Sequence, residues 1–138
     1  MPPVSCPLTH RFTPGLYSRA MFIPAGTVVT SAKHRTAHQF AVLTGSLSVW
    51  SEQEQRVRYD AGQIGITRPG TRRICYAHAD TVFVTFHATR RQSPEKVAKD
   101  ILVHRLNPLL KNHVPMHQVK GMADSIIRYK RGRKCLSQ

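Results

Sequence analysis

Residues 26–45 read GTVVTSAKHRTAHQFAVLTG, and the reading of this stretch decides the fold. Two runs rich in β-branched and apolar residues, TVVTS and FAVLTG, flank a polar middle that holds His34 and His38. Turn elements bound it on either side, PAG at 24–26 and TGS at 44–46. Short runs of this composition between Gly/Pro punctuation predict strands rather than helices. On an extended chain, positions 34 and 38 project to the same face, so the two imidazoles form a candidate metal pair.

The same pattern continues outward. YSRAMFI, SLSVWS, RVRYD, IGIT, ICYAHA and TVFVTFHAT are further strand candidates, separated by SEQEQ (51–55), DAGQ (60–63) and RPGTRR (68–73). The last strand alternates, with Val82, Val84 and Phe86 on one face and Phe83, Thr85 and His87 on the other. Apolar residues on both faces at its start predict a strand between two layers. Many short strands with Gly/Pro turns predict an all-β sandwich or barrel. Residues 1–16, with four prolines, read as an N-terminal arm. Residues 17–89 form the strand region. In residues 90–138 the period changes to that of a helix. Ser93-Pro94-Glu95 supplies a cap, a proline at the first helical position and an acid at the positive helix end. Val97, Ala98, Ile101, Leu102 and Leu106 follow as an apolar stripe ended by Asn107-Pro108, and a second short helix is expected at 122–129.

A chain of 138 residues with 41% hydrophobic content is the size of one domain with its own core. No apolar run is long enough for a membrane span, and the first residues lack the apolar segment of a secretory signal, so no membrane partner is expected. Three scattered cysteines without a C-x-x-C predict neither a disulfide framework nor a zinc knuckle, and reduced thiols are the default. The net charge of +14 points to anionic partners without naming them. Residues 1–89 hold nine basic and four acidic side chains, residues 90–138 twelve and three. Arg128, Lys130, Arg131, Arg133 and Lys134 form a basic tail, read either as a tether to phosphate or acidic protein surfaces or as a solvated chain end. Aromatic residues suited to base stacking are not interleaved there, so sequence-specific nucleic-acid reading is not expected.

Catalytic patterns are sparse. The chain has no nucleophile elbow, G-x-G-x-x-G or P-loop. His78 and Asp80 stand two apart and can share a strand face, although an ordinary surface pair is the better account of them. A metal site would need a third ligand for His34 and His38, either His78 or His87, and the reading carried forward uses His78. His113 and His117 repeat the spacing, but Pro115 interrupts any helix between them. Arg68, Arg72 and Arg73 bracket the RPGTRR turn and suit carboxylate pairing at a protein interface, or solvation.

The stretch from Gly26 to Gly45 resembles the first motif of the cupin family: a glycine, two histidines, a glutamate and a closing glycine. GQIGITRPGTRRICYAHA resembles the second motif, a glycine followed by a Pro-x-Gly element and then histidine and asparagine. The resemblance implies a cupin-like β-jelly roll over residues 17–89, with a partly helical, basic C-terminal extension. It places His34 at the second histidine of the first motif, His38 at the glutamate, Ala32 at the first histidine and Arg73 near the ligand histidine of the second motif. The ligand set is therefore incomplete, and no catalytic residue, cofactor or bound metal is expected. GSLSVWS, RPGTRR and AHADTVFVTFHAT together resemble small cupin-type proteins encoded among the structural genes of tailed phages. That resemblance implies a non-enzymatic virion protein, made in the host cytoplasm. It would be a head cement or decoration protein on the capsid surface, a homodimer bridging major capsid subunits through Arg68, Arg72, Arg73 and the basic tail. The alternatives are a metal-dependent cupin enzyme or small-ligand binder using His34, His38 and His78, and a nonspecific nucleic-acid-binding protein acting through residues 128–138.

Overall fold

A computed structural model describes residues 4–52, 55–103 and 133–134. The strands are β1 (Leu8–Thr13), β2 (Leu16–Ile23), β3 (Thr27–Thr30), β4 (His38–Thr44), β5 (Ser46–Ser51), β6 (Val57–Asp60), β7 (Ile64–Thr67), β8 (Arg73–Ala77) and β9 (Thr81–Ala88). Helix α1 (Pro94–Ile101) and a two-residue strand β10 (Arg133–Lys134) complete the described elements. Two five-stranded sheets result, in the orders β1-β2-β9-β4-β7 and β10-β3-β8-β5-β6. This is the all-β jelly roll, and each run of β-branched and aromatic residues from Tyr17 to Thr89 contributes one strand. Of the segment read as an arm, Leu8–Thr13 is an edge strand paired antiparallel with β2.

Alternation decides what each strand buries. Ile23, Phe40, Val42 and Leu47 are almost fully enclosed between the sheets, with Met21, Val29, Val49, Cys75, Ala77 and Phe83 around them. Burial of each large apolar side chain contributes about 1.5–3 kcal/mol, so this cluster dominates the stability of the roll. The outer face of the first sheet remains wet at its edge, where Ile64 and Ile66 are each 69% exposed. Trp50 lies on the outer face of the second sheet, half-buried beside Ile74, Tyr76 and Val28.

Two glycines fix the geometry near the core. Gly45, the last residue of the quoted stretch, has φ +84° and turns β4 into β5. A Cβ there would collide with the Asp80 carbonyl and with Thr81. Gly65 opposes Phe40 across the β4–β7 pair, and a Cβ would strike the Phe40 ring.

The helix begins as its sequence predicts. The Ser93 hydroxyl accepts a hydrogen bond from the Lys96 amide (3.2 Å) with Pro94 in the first turn. It ends at Ile101, sooner than the apolar stripe suggested, because Leu102 becomes extended and bridges to His34. Val97 and Ile101 pack against Tyr17, Phe12 and Leu102. Cys75 is a free buried thiol, whereas Cys6 is disulfide-bonded, so the reduced-thiol expectation holds only at position 75 of these two. The expected second helix, the His113/His117 pair, and Arg128, Lys130 and Arg131 lie outside the described residues. Arg133 and Lys134 are described as the backbone of β10, which runs parallel to β3.

Candidate functional site

The register of the first sheet builds a row of inward-facing side chains at one end of the roll. Phe12 pairs with Tyr17, Tyr17 with His87, and His38 with Thr67. The β4–β9 pairing of Gln39 with Phe86 sets His38 directly across from His87. His34 reaches the row from the loop before β4, held there by its bridge to Leu102 and by the Gly70 amide, which donates to the His34 carbonyl (2.7 Å). The next row inward is His10, Arg19, Thr85, Phe40 and Gly65, and beyond it the face is apolar.

His34, His38 and His87 are all buried and offer ring nitrogens within 4.8 Å of one another. Their ring centroids are 4.4 Å (His34–His38), 4.5 Å (His38–His87) and 5.6 Å (His34–His87) apart. Nδ1 of His34, both ring nitrogens of His38 and Nδ1 of His87 have no hydrogen-bond partner among the described residues. His87 Nε2 lies 3.1 Å from the Thr85 hydroxyl.

Burial is the main force on their protonation. It pushes His34 down to about 4, with the positive field of Arg73 acting the same way against the Ala32 backbone. Burial, then the neighbouring His34 and His87, push His38 down to about 3. His87 falls to about 4 through burial, then His34 and Arg19. All three rings are thus neutral at pH 7, with lone pairs free to bind.

The donor set fits a nitrogen-preferring divalent metal. Three neutral imidazoles with unpaired nitrogens suit zinc, nickel, copper or iron. Ligands at 2.0–2.1 Å from one ion sit about 3.3 Å apart, a separation within the 4.8 Å that bounds these nitrogens. Among the described residues, no carboxylate completes the set.

A cavity of about 330 Å³ opens beside the cluster, between the two sheets. His34 and His87 line it, while His38 stands behind them. Tyr17, Arg19, Arg73 and Thr85 add polar groups, Met21, Ile23, Val29, Leu47 and Phe83 form its apolar wall, and Val97, Ala98 and Ile101 of α1 close one side. A concave, largely apolar site with a few convergent polar groups is what a small molecule requires.

The structure corrects two expectations from sequence. His78 is not the third histidine; its Nε2 lies 2.6 Å from the Ser48 hydroxyl, on the opposite side of the second sheet from the core. Residues 73, 75 and 77 face inward on β8, so 78 falls on the other parity. His87, the other candidate, completes the cluster. Arg73 is no surface contact either: it is 6% exposed, inside the roll, its guanidinium 5.2 Å from the Phe40 ring centre and 5.9 Å from that of Phe83. Arg68 is exposed and Arg72 half-buried. Asp80 accepts from the Ala25 amide (2.8 Å), so Asp80 and His78 each engage other groups.

No family model and no curated protein sequence matches the chain. Solved structures do match in shape. An RmlC-like cupin family protein with a double-stranded β-helix fold from Methanocaldococcus jannaschii superposes with a TM-score of 0.52 at 12% identity, covering 67% of this chain and 85% of that one. A conserved double-stranded β-helix protein from Klebsiella pneumoniae gives 0.54 at 16% identity, covering 64% and 81%. KdgF from Halomonas sp. gives 0.50 at 22% identity, covering 59% and 76%. The fold is therefore the cupin jelly roll, or double-stranded β-helix. At these identities the likeness establishes shared architecture alone. It provides no link to head cement proteins of phages.

Proposed function

We propose that this chain is a small-ligand-binding protein of the cupin fold, with His34, His38 and His87 holding a divalent metal at the wall of its internal cavity. One observation carries the reading: three buried imidazoles, from the loop before β4, from β4 and from β9, present nitrogens within 4.8 Å of one another beside a 330 Å³ cavity. Burying unpaired ring nitrogens costs free energy, and a fold retains them where something else binds them.

The residues divide the work. The three histidines supply neutral nitrogen ligands, and Thr85 orients His87 through its hydroxyl. The apolar wall and α1 exclude water from the ligand. A bound ion would supply a Lewis-acidic anchor for an oxygen or nitrogen atom of that ligand. Titration of the chelator-treated full-length chain with zinc or nickel by calorimetry tests the reading. One equivalent per chain is expected, and no measurable binding of either ion would refute it.

The capsid-bridging reading rested on charge and on three stretches that the fold now accounts for. GSLSVWS is β5, whose Leu47 and Val49 fill the core, and AHADTVFVTFHAT contains β9, whose inward residues are Phe83, Thr85 and His87. RPGTRR leads into β8 and delivers Arg73 to the interior. Arg68 and Arg72 of the same stretch stay exposed and half-buried, and the fold does not bear on a capsid partner.

A further inference from the structure

Arg73 is the residue in this molecule that ordinary packing explains least. It is 6% exposed, yet its Nε and Nη1 are buried without a hydrogen-bond partner among the described residues. The two ion pairs among those residues, Arg58–Asp60 and Arg91–Asp100, are both at the surface and leave Arg73 unmatched. Its guanidinium rests against Phe40 and Phe83, which offer ring faces but no counter-charge. Taking a cation out of water costs more than aromatic contact returns. A well-packed apolar residue of similar volume would serve stability at least as well.

The surroundings say what the charge is for. Arg73 and Arg19 both line the cavity, together with His34 and His87. Among the described residues, the one acidic side chain in that lining is Glu95, exposed in the first turn of α1. The inner wall is apolar, and the volume equals that of roughly ten water molecules. A guanidinium fork is shaped to accept a planar carboxylate through two parallel hydrogen bonds. The buried Arg73 and the half-buried Arg19 suit an anion, and the apolar wall matches a carbon skeleton better than a fully hydrated oxyanion.

We infer that the cavity takes a small organic carboxylate, whose charged end pairs with Arg73 while its apolar body lies against Met21, Val29, Leu47 and Phe83. The inference deepens the proposed ligand-binding function and shares its cavity, but it does not depend on the metal. With an ion at the histidines the need for an anion increases, because Arg73 already places a positive charge beside them.

The test uses the full-length protein, chelator-treated and nickel-loaded in parallel, with calorimetric titration of benzoate, its neutral isostere benzamide, and inorganic phosphate. Benzoate is expected to bind at least tenfold more tightly than benzamide or phosphate. Arg73→Met should lose at least tenfold in benzoate affinity while its melting temperature stays equal or rises. Should that variant not fold, Arg19→Gln, at the same cavity, should still weaken benzoate several-fold. Equal affinity for benzoate and benzamide, preference for phosphate, or no benzoate binding by either form would overturn the inference. So would an Arg73→Met protein that melts far lower yet binds benzoate unchanged, since Arg73 would then be structural. Nickel stoichiometry, read in the same samples, reports separately on the histidine centre.

Discussion

His38 and His87 face each other across the β4–β9 pair with ring centroids 4.5 Å apart, although 48 residues separate them in the chain. The antiparallel register makes the pair: once Gln39 opposes Phe86, His38 must oppose His87. His34 then closes the triangle from the loop, held by its backbone contacts to Leu102 and Gly70.

Stability should depend on pH through these rings. Their folded values, about 4, 3 and 4 for His34, His38 and His87, lie below the unfolded value of 6.5. Between those limits the unfolded chain binds more protons, so acid favours unfolding. The chelator-treated protein should show a flat melting temperature above pH 6.5 and a progressive fall from 6.5 towards 4. Arg73 and Arg19 face the same cluster and reinforce the direction. His38→Leu should make the fall shallower. A melting temperature that rises on acidification through this window would contradict the burial of neutral rings.

Gly45→Ala should cost about 2 kcal/mol or more. The substitution combines a strained positive φ with a collision against the Asp80 backbone, which cannot swing away as a side chain would. Urea denaturation measures it. Gly15→Ala, also at positive φ but with open space around the added carbon, should cost less.

Ile101→Ala removes part of the contact between α1 and Tyr17, and about 2 kcal/mol of stability is expected to go with it. Because α1 closes one side of the cavity, amide exchange over residues 94–101 should accelerate more than exchange in β9. Uniform acceleration across both elements would show that the helix does not open separately.

The fold was readable because its signals are local. Period-two runs, turn glycines and the Ser93-Pro94 helix start each act within a few residues. The site was half readable. His34 and His38 announce themselves by spacing, but the third histidine depends on a strand register that no local pattern encodes. His78 lies within the second-motif stretch, yet one residue past β8 its side chain has the wrong parity. A signal for His87 was present: it shares a strand face with Phe83 and Thr85, and that face is the core. Arg73 was misplaced for a similar reason. RPGTRR looks like a solvated turn, whereas Arg73 already begins β8 and shares the inward parity of Cys75 and Ala77.

The central claim, that His34, His38 and His87 form one metal centre, is tested most directly by metal retained per chain after nickel loading and gel filtration. Wild-type protein and His78→Ala should each keep one equivalent, whereas His87→Ala should keep less than a tenth. Full retention by His87→Ala, or loss of metal from His78→Ala alone, would contradict the account.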